Sequence, residues 1–230
     1  MKNIIRRHIL ILICLGLYNS SALAEVGFSG DISAVSTYVW RGIKINSGPA
    51  LQSTAEGSFG IFTFGFWGSS ISVGDNTEVE TDLYASVALL TGDLSSSLGA
   101  TVYMLDFRQF NSTADAELEL FASLEYHFLG LNIYYIPDQN SLKNIENSSL
   151  YWTELSGTVN WLGADLSALI GYGTYSSRWM INGPTKDPVA LMLLTAAKSV
   201  TDNTAIFWSY SFNLEGGFER IFYFGGTYSF

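Results

Sequence analysis

The sequence predicts an all-β chain, a transmembrane antiparallel barrel of about 12 strands in an up-and-down meander after a cleaved signal peptide, and three observations carry that prediction. First, 48% of the residues are apolar and 15% aromatic, yet no stretch beyond residue 24 approaches the ~20 consecutive apolar residues of a spanning helix. A chain this apolar without such helices is left with the closed barrel, the other structure that satisfies all of its backbone groups inside lipid. Second, segment after segment alternates apolar and polar side chains, the period of a strand with one face in an apolar medium. Third, short connections alternate with longer ones along the chain, as in barrels with tight turns at one rim and loops at the other.

The front of the chain predicts the compartment. Lys2, Arg6 and Arg7 precede the apolar run 9–17, and Ala22-Leu23-Ala24 follows it. Basic, apolar and small-x-small in that order is a secretory signal, here cleaved before Glu25. The expected domains are therefore 1–24, a Sec-type signal peptide, and 25–230, a single barrel in the outer membrane of a Gram-negative cell. The only cysteine, Cys14, falls inside the signal, so no thiol, disulfide or cysteine metal site is expected in the mature chain. Removing the three signal cations takes the 11 basic residues to 8 against 21 acidic ones, a net charge of about −13. So acidic a chain argues against nucleic acid as a partner.

Taken in order, the expected strands begin with 28–40. There Phe28, Ile32, Ala34, Tyr38 and Trp40 share the apolar parity, and Ser29, Asp31, Ser33 and Thr37 share the polar one. Residues 41–48 are expected to be a loop. Strand 49–58 carries Gln52, Thr54, Glu56 and Ser58 on its polar face, and 61–70 opposes Phe62, Phe64 and Phe66 to Thr63, Gly65, Trp67 and Ser69. Strand 78–90 sets Glu78, Glu80, Asp82, Tyr84 and Ser86 against Val79, Leu83, Ala85, Val87 and Leu89. Strand 97–107 turns Leu98, Ala100, Val102 and Met104 outward, and 115–128 places Asp115, Glu117, Glu119, Ser123, Glu125 and His127 opposite Ala116, Leu118, Leu120, Ala122, Leu124 and Tyr126. A shorter strand, 131–136, precedes 150–161, whose polar face is Trp152, Glu154, Ser156, Thr158 and Asn160. Strand 164–175 has Leu166, Ala168, Ile170 and Tyr172 outward, with Asp165 on the other parity. Residues 189–200 are apolar on both parities apart from Lys198, a pattern that also fits a short buried helix. Strand 204–213 restores the alternation.

The last strand, 220–230, puts Phe222, Phe224, Tyr228 and Phe230 on one face. A bare terminal edge of this kind would invite aggregation in water, whereas in a closed barrel it pairs with the first strand and meets lipid. Its terminal Phe with alternate apolar residues behind it resembles the C-terminal signal read by the outer-membrane barrel assembly machinery. Expected short turns at 57–60, 91–94, 128–130, 162–163 and 201–203 alternate with loops at 41–48, 70–76, 108–114, 137–149 and 176–188, which places both termini at the periplasmic rim. A β-sandwich would not alternate its connections in this way.

The runs Ser36-Thr37-Tyr38-Val39-Trp40-Arg41-Gly42, Pro49-Ala50-Leu51-Gln52, Phe66-Trp67-Gly68-Ser69 and Glu80-Thr81-Asp82-Leu83-Tyr84 resemble the TorF-type porin family, outer-membrane barrels without an established substrate. The resemblance is good over 28–86, fair around Glu117 and poor after Tyr175, and Thr37 stands where that family is expected to have Asp. It implies an outer-membrane barrel and a solute pore, with Tyr38, Trp40, Arg41 and Gly42 as its signature, and it implies no catalytic residues.

Function is then sought in the lumen. Glu56, Glu78, Glu80, Asp82, Asp115, Glu117, Glu119, Glu125, Glu154 and Asp165 share the inward parity and are the expected pore-lining residues. Such acidic rings favour cations, so the expectation is a porin-like channel for passive diffusion of small solutes with a cation bias. The alternative is a non-conducting structural or surface-binding barrel, since inward Trp67, Tyr84, Tyr103, Phe121, Tyr134 and Trp152 are large enough to fill the bore of a barrel this size. Catalysis is not expected, because His127, the one histidine beyond the signal, is placed beside a periplasmic turn. No cofactor or metal site is expected. Expected partners are outer-membrane lipid and lipopolysaccharide, the assembly machinery and the solutes themselves. Trp40, Tyr126, Phe128, Tyr175 and Trp179 are expected to form interfacial girdles, and Arg41 with Gly42 to close the first strand at the outer rim.

Overall fold

The computed structural model describes residues 26–46, 48–73, 76–104, 116–137, 150–174, 189–214 and 219–230. These form 14 strands, 12 of which close into a barrel. The wall runs β1 (Val26–Val35), β4 (Ala50–Phe59), β5 (Phe62–Val73), β6 (Asn76–Leu90), β7 (Leu94–Met104), β8 (Ala116–Tyr126), β9 (Leu129–Ile136), β10 (Leu150–Trp161), β11 (Ala164–Gly173), β12 (Val189–Ser199), β13 (Thr204–Asn213) and β14 (Ile221–Ser229). Each wall strand pairs antiparallel with its neighbours, and β1 closes the ring by pairing with β4 on one edge and β14 on the other. No helix among the described residues is long and apolar enough to cross a membrane.

Parity sorts the side chains as the alternation requires. Phe28, Leu51, Phe64, Leu83, Leu98, Leu120, Ile133, Leu155, Ile170, Trp208 and Phe224 are all exposed on the outside. Apolar surface that runs around the whole barrel far exceeds what a protein dissolved in water leaves uncovered, and lipid is the medium that covers it. The β1–β14 seam is held by the register Asp31↔Ser229 to Val35↔Gly225. It is extended by reciprocal backbone bonds between Gly30 and Phe230 of 3.1 and 3.0 Å. The phenyl rings of Phe28 and Phe230 lie 6.3 Å apart on its outer side.

Several expectations change. Residues 189–199 form the regular strand β12, with Leu194 outward and Val189 and Leu191 buried inside. Both parities are apolar because the inner face packs on a luminal core; Lys198, paired with outward Ile206, belongs to the outer face. The expected 70–76 loop is largely strand, because β5 and β6 stay paired up to Val73↔Asn76.

The larger correction concerns the first strand. It leaves the wall at Val35 instead of continuing to Trp40. There the Ser36 N–H donates to the Phe224 carbonyl at 2.8 Å, and the Phe224 N–H donates to the Ser36 hydroxyl at 3.0 Å. Beyond that point the chain forms a small hairpin, β2 (Val39–Trp40) and β3 (Ile43–Lys44), paired with each other and not with the wall. Tyr38 and Trp40 therefore lie inside the barrel, where Tyr38 is buried, and Trp40 is not part of an interfacial girdle. Tyr126 and Phe128 are exposed at the short-turn rim, whereas Tyr175 and Trp179 lie outside the described residues.

Candidate functional site

The β2–β3 hairpin turns on Arg41 and Gly42, both with positive φ, 45° and 77°. Two such residues make the mirror-image turn that matches strand twist, and Gly is the residue that tolerates it. A side chain at position 42 would also meet Leu191 Cδ2 at 2.9 Å. The base of the hairpin is tied by Asn46, which is buried. Its Oδ1 accepts the Tyr38 N–H at 2.8 Å, its carbonyl accepts the Thr37 hydroxyl, and Ile45 N–H donates to Tyr38 O at 2.9 Å.

This hairpin crosses the bore. Tyr38 packs against Trp67 of β5 with ring centroids 5.3 Å apart, and Trp40 meets Tyr103 of β7 edge-on at 6.2 Å. Gly42 approaches Leu191 of β12 and Ser211 of β13. Two apolar clusters form around it, one of Val35, Tyr38, Ala50 and Ile71, the other of Trp152, Val189 and Leu191 with Trp40 and Ile43 against them. The packed core thus sits inside the barrel, at the level of the hairpin.

Arg41 stands at the centre of this arrangement. Its Nη1 and Nη2 donate to Oε2 and Oε1 of Glu119 at 2.8 and 3.0 Å, and the Tyr103 hydroxyl donates to Glu119 Oε1 at 2.8 Å. The guanidinium carbon lies 4.6, 4.3 and 5.8 Å from the ring centroids of Trp40, Tyr134 and Trp152. Glu154 accepts from Trp152 Nε1 at 2.8 Å and from the Tyr134 hydroxyl at 3.3 Å. A planar fork on a carboxylate with aromatic faces around it is a geometry that suits Arg and not Lys.

The remaining expected pore-lining residues divide into groups. Glu80 and Asp82 on β6 and Glu117 and Glu119 on β8, the two strands that flank β7, are buried inside the barrel. Glu80 Oε2 and Asp82 Oδ1 have no hydrogen-bond partner among the described residues. Glu56 accepts the Tyr84 hydroxyl at 2.9 Å. Glu125 and Asp165 stand apart, exposed near the short-turn rim, with Ser95 at 3.4 Å and Asn160 at 2.8 Å as partners. Asp115 and the side chain of Glu78 lie outside the described residues. His127 is exposed in the β8–β9 turn with φ 53°.

The family model described as "Bacterial protein of unknown function (Gcw_chp)" matches residues 19–181, more than half of the chain. The chain belongs to the Gcw_chp family. That span includes the hairpin, Glu80, Asp82, Glu119 and Glu154, so this Gcw_chp barrel carries its luminal arrangement within the family region. No curated protein matches the chain. Among solved structures, an outer membrane channel from Pseudomonas putida F1 is 16% identical, with a TM-score of 0.52 over 92% of this chain and 97% of that one. A chain from a study of in-meso crystallization of membrane proteins is 7% identical, with a TM-score of 0.54 over 88% and 83%. Both are likenesses of fold.

Parity alone did not reveal that Arg41 points inward onto Glu119, or that Tyr103, Tyr134 and Trp152 surround it. One local signal was present: Tyr38-Val39-Trp40 and Ile43-Lys44-Ile45 flank an Arg-Gly pair, and an x-Gly pair between apolar residues is a hairpin signal. The inward aromatics large enough to fill the bore lie partly along the wall. Tyr84 covers Gly65 and Trp152 covers Gly171 so closely that a Cβ at either glycine would fall 1.9 or 2.3 Å from the ring.

Proposed function

We propose that this Gcw_chp protein is an outer-membrane, porin-like channel for passive diffusion of small solutes, biased toward cations and narrowed by the β2–β3 hairpin. The observation that supports this reading best is the buried luminal set Glu80, Asp82 and Glu117, carboxylates beyond the Glu119 that Arg41 neutralises, inside a closed wall with an apolar exterior. Carboxylates so placed concentrate cations and repel anions along an aqueous path. The test is planar-bilayer conductance of the refolded protein in a KCl gradient. A cation-directed reversal potential is expected, and the double change Glu80→Gln with Asp82→Asn should move it toward zero, more strongly at low salt, where the Debye length is longer. A conducting double variant with an unchanged reversal potential rules these carboxylates out of the ion path.

The hairpin itself favours a second reading, a non-conducting structural or surface-binding barrel, because it packs against strands all around the bore. Bilayers that stay silent with folded wild-type protein, and also with a hairpin-deleted variant, decide for that reading.

A further inference from the structure

We propose that the lumen holds a binding site for a small organic ammonium ion, between the β2–β3 hairpin and the wall formed by β4 to β7. This site is independent of conduction and stands whether or not the barrel passes solutes.

The interior already shows how it accommodates positive charge. Arg41 rests on Glu119 and against the rings of Trp40, Tyr134 and Trp152. A carboxylate with aromatic faces is thus the receptor the chain builds for its own guanidinium. The same combination recurs beside it, around a cavity of about 320 Å³ lined by Tyr38, Trp40, Trp67, Tyr84, Tyr103 and Asp82. Asp82 is only 5% exposed, and its Oδ1 has no hydrogen-bond partner among the described residues. Two residues earlier on the same inward face, Glu80 is buried beside Tyr38 and does not line this cavity. A buried carboxylate oxygen without a donor is costly, and a cation seated in the cavity against Asp82 Oδ1 removes that cost.

The surroundings select the kind of cation. A calcium-class ion takes 6–8 oxygen ligands, and among the described residues no group of three or more His, Cys, Asp or Glu side chains is arranged to hold a metal. Aromatic faces attract a weakly hydrated organic cation through the ring quadrupole, as in the aromatic cages that bind quaternary ammonium groups. A volume of about 320 Å³ lies at the small end of ligand pockets, which points to a choline-sized molecule.

The experiment is equilibrium binding to the full-length protein refolded in detergent, by calorimetry and tryptophan fluorescence, with choline as probe. The controls are its neutral carbon isostere 3,3-dimethylbutan-1-ol and calcium chloride alone. Choline should bind saturably and at least about tenfold more tightly than the isostere, the weight of one to two cation–π contacts and a charge. Asp82→Asn should weaken choline by about tenfold or more without weakening the isostere. Trp67→Leu provides the same test through the cage wall if the Asn variant does not refold. Equal binding of choline and isostere, no choline binding, unchanged affinity in a folded variant, or binding of calcium but not choline each overturns the proposal.

Discussion

Arg41 and Glu119 have side-chain exposures of 9% and 1%, so each is the other's main compensation for leaving water. Removing one member of such a pair leaves a charge buried alone, which typically costs about 3–5 kcal/mol, whereas replacing both with neutral groups costs much less. Arg41→Gln and Glu119→Gln should each lower the unfolding free energy of the refolded protein, read from urea titration, by that order, and the double variant should lose clearly less than the sum of the two. Single variants that lose under about 1 kcal/mol would mean that the ion pair is exposed in solution. Arg41→Lys should also be destabilised, because an ammonium cannot make the bidentate fork or stack on Tyr134 as a guanidinium does.

At the scale of the element, the hairpin depends on one glycine. Gly42 has φ 77°, and a Cβ there would press on Leu191 at 2.9 Å; a β-branched side chain in that conformation is strained as well as crowded. Gly42→Val should therefore displace the hairpin tip while the wall strands, paired among themselves, stay closed. Because Cys14 is the only cysteine of the sequence, an Ile43→Cys reporter is clean once Cys14 is replaced by Ser. It should react slowly with a bulky maleimide in the Gly42 background and at least about tenfold faster with Val at 42, the ratio expected when an opening costs about 1.4 kcal/mol less. Equal rates in the two backgrounds would show that the tip is not held by this contact.

For the whole molecule, closure rests on a seam shorter than its neighbour: β1 registers with β14 over Asp31–Val35 and with β4 over Val26–Val35. Deleting Tyr228 to Phe230 removes the Ile32↔Tyr228 pair and the Gly30–Phe230 bonds and leaves an open edge that lipid cannot satisfy. The truncated protein should be secreted but fail to insert, read as loss from the outer-membrane fraction. Normal surface accumulation would contradict a closing role for this strand. Tags placed within 137–149 should be labelled on intact cells and tags within 91–93 should not, since the short turns and the termini share one rim. The opposite labelling would invert the orientation.

What the sequence by itself determined is the wall. Alternation in segments such as 116–126, with Leu118, Leu120 and Leu124 outward and Glu117 and Glu119 inward, follows from a two-residue period and one apolar medium, both of which are local. Strand number, pairing order and the inward parity of Glu80, Asp82 and Glu154 were legible for the same reason. Tertiary structure alone decided what fills the bore. Tyr38 and Trp40 keep the parity of Ile32 and Ala34, so alternation does not distinguish a strand continuing in lipid from a hairpin folding into the lumen, and the Arg41-Gly42 pair signals a turn without fixing the side of the wall it enters. The difference lies in partners distant in the chain: Trp67, Tyr103, Glu119, Tyr134 and Leu191. Likewise β12 is apolar on both faces because one meets lipid and the other meets the hairpin, and only closure of the barrel brings those two media to opposite sides of a single strand.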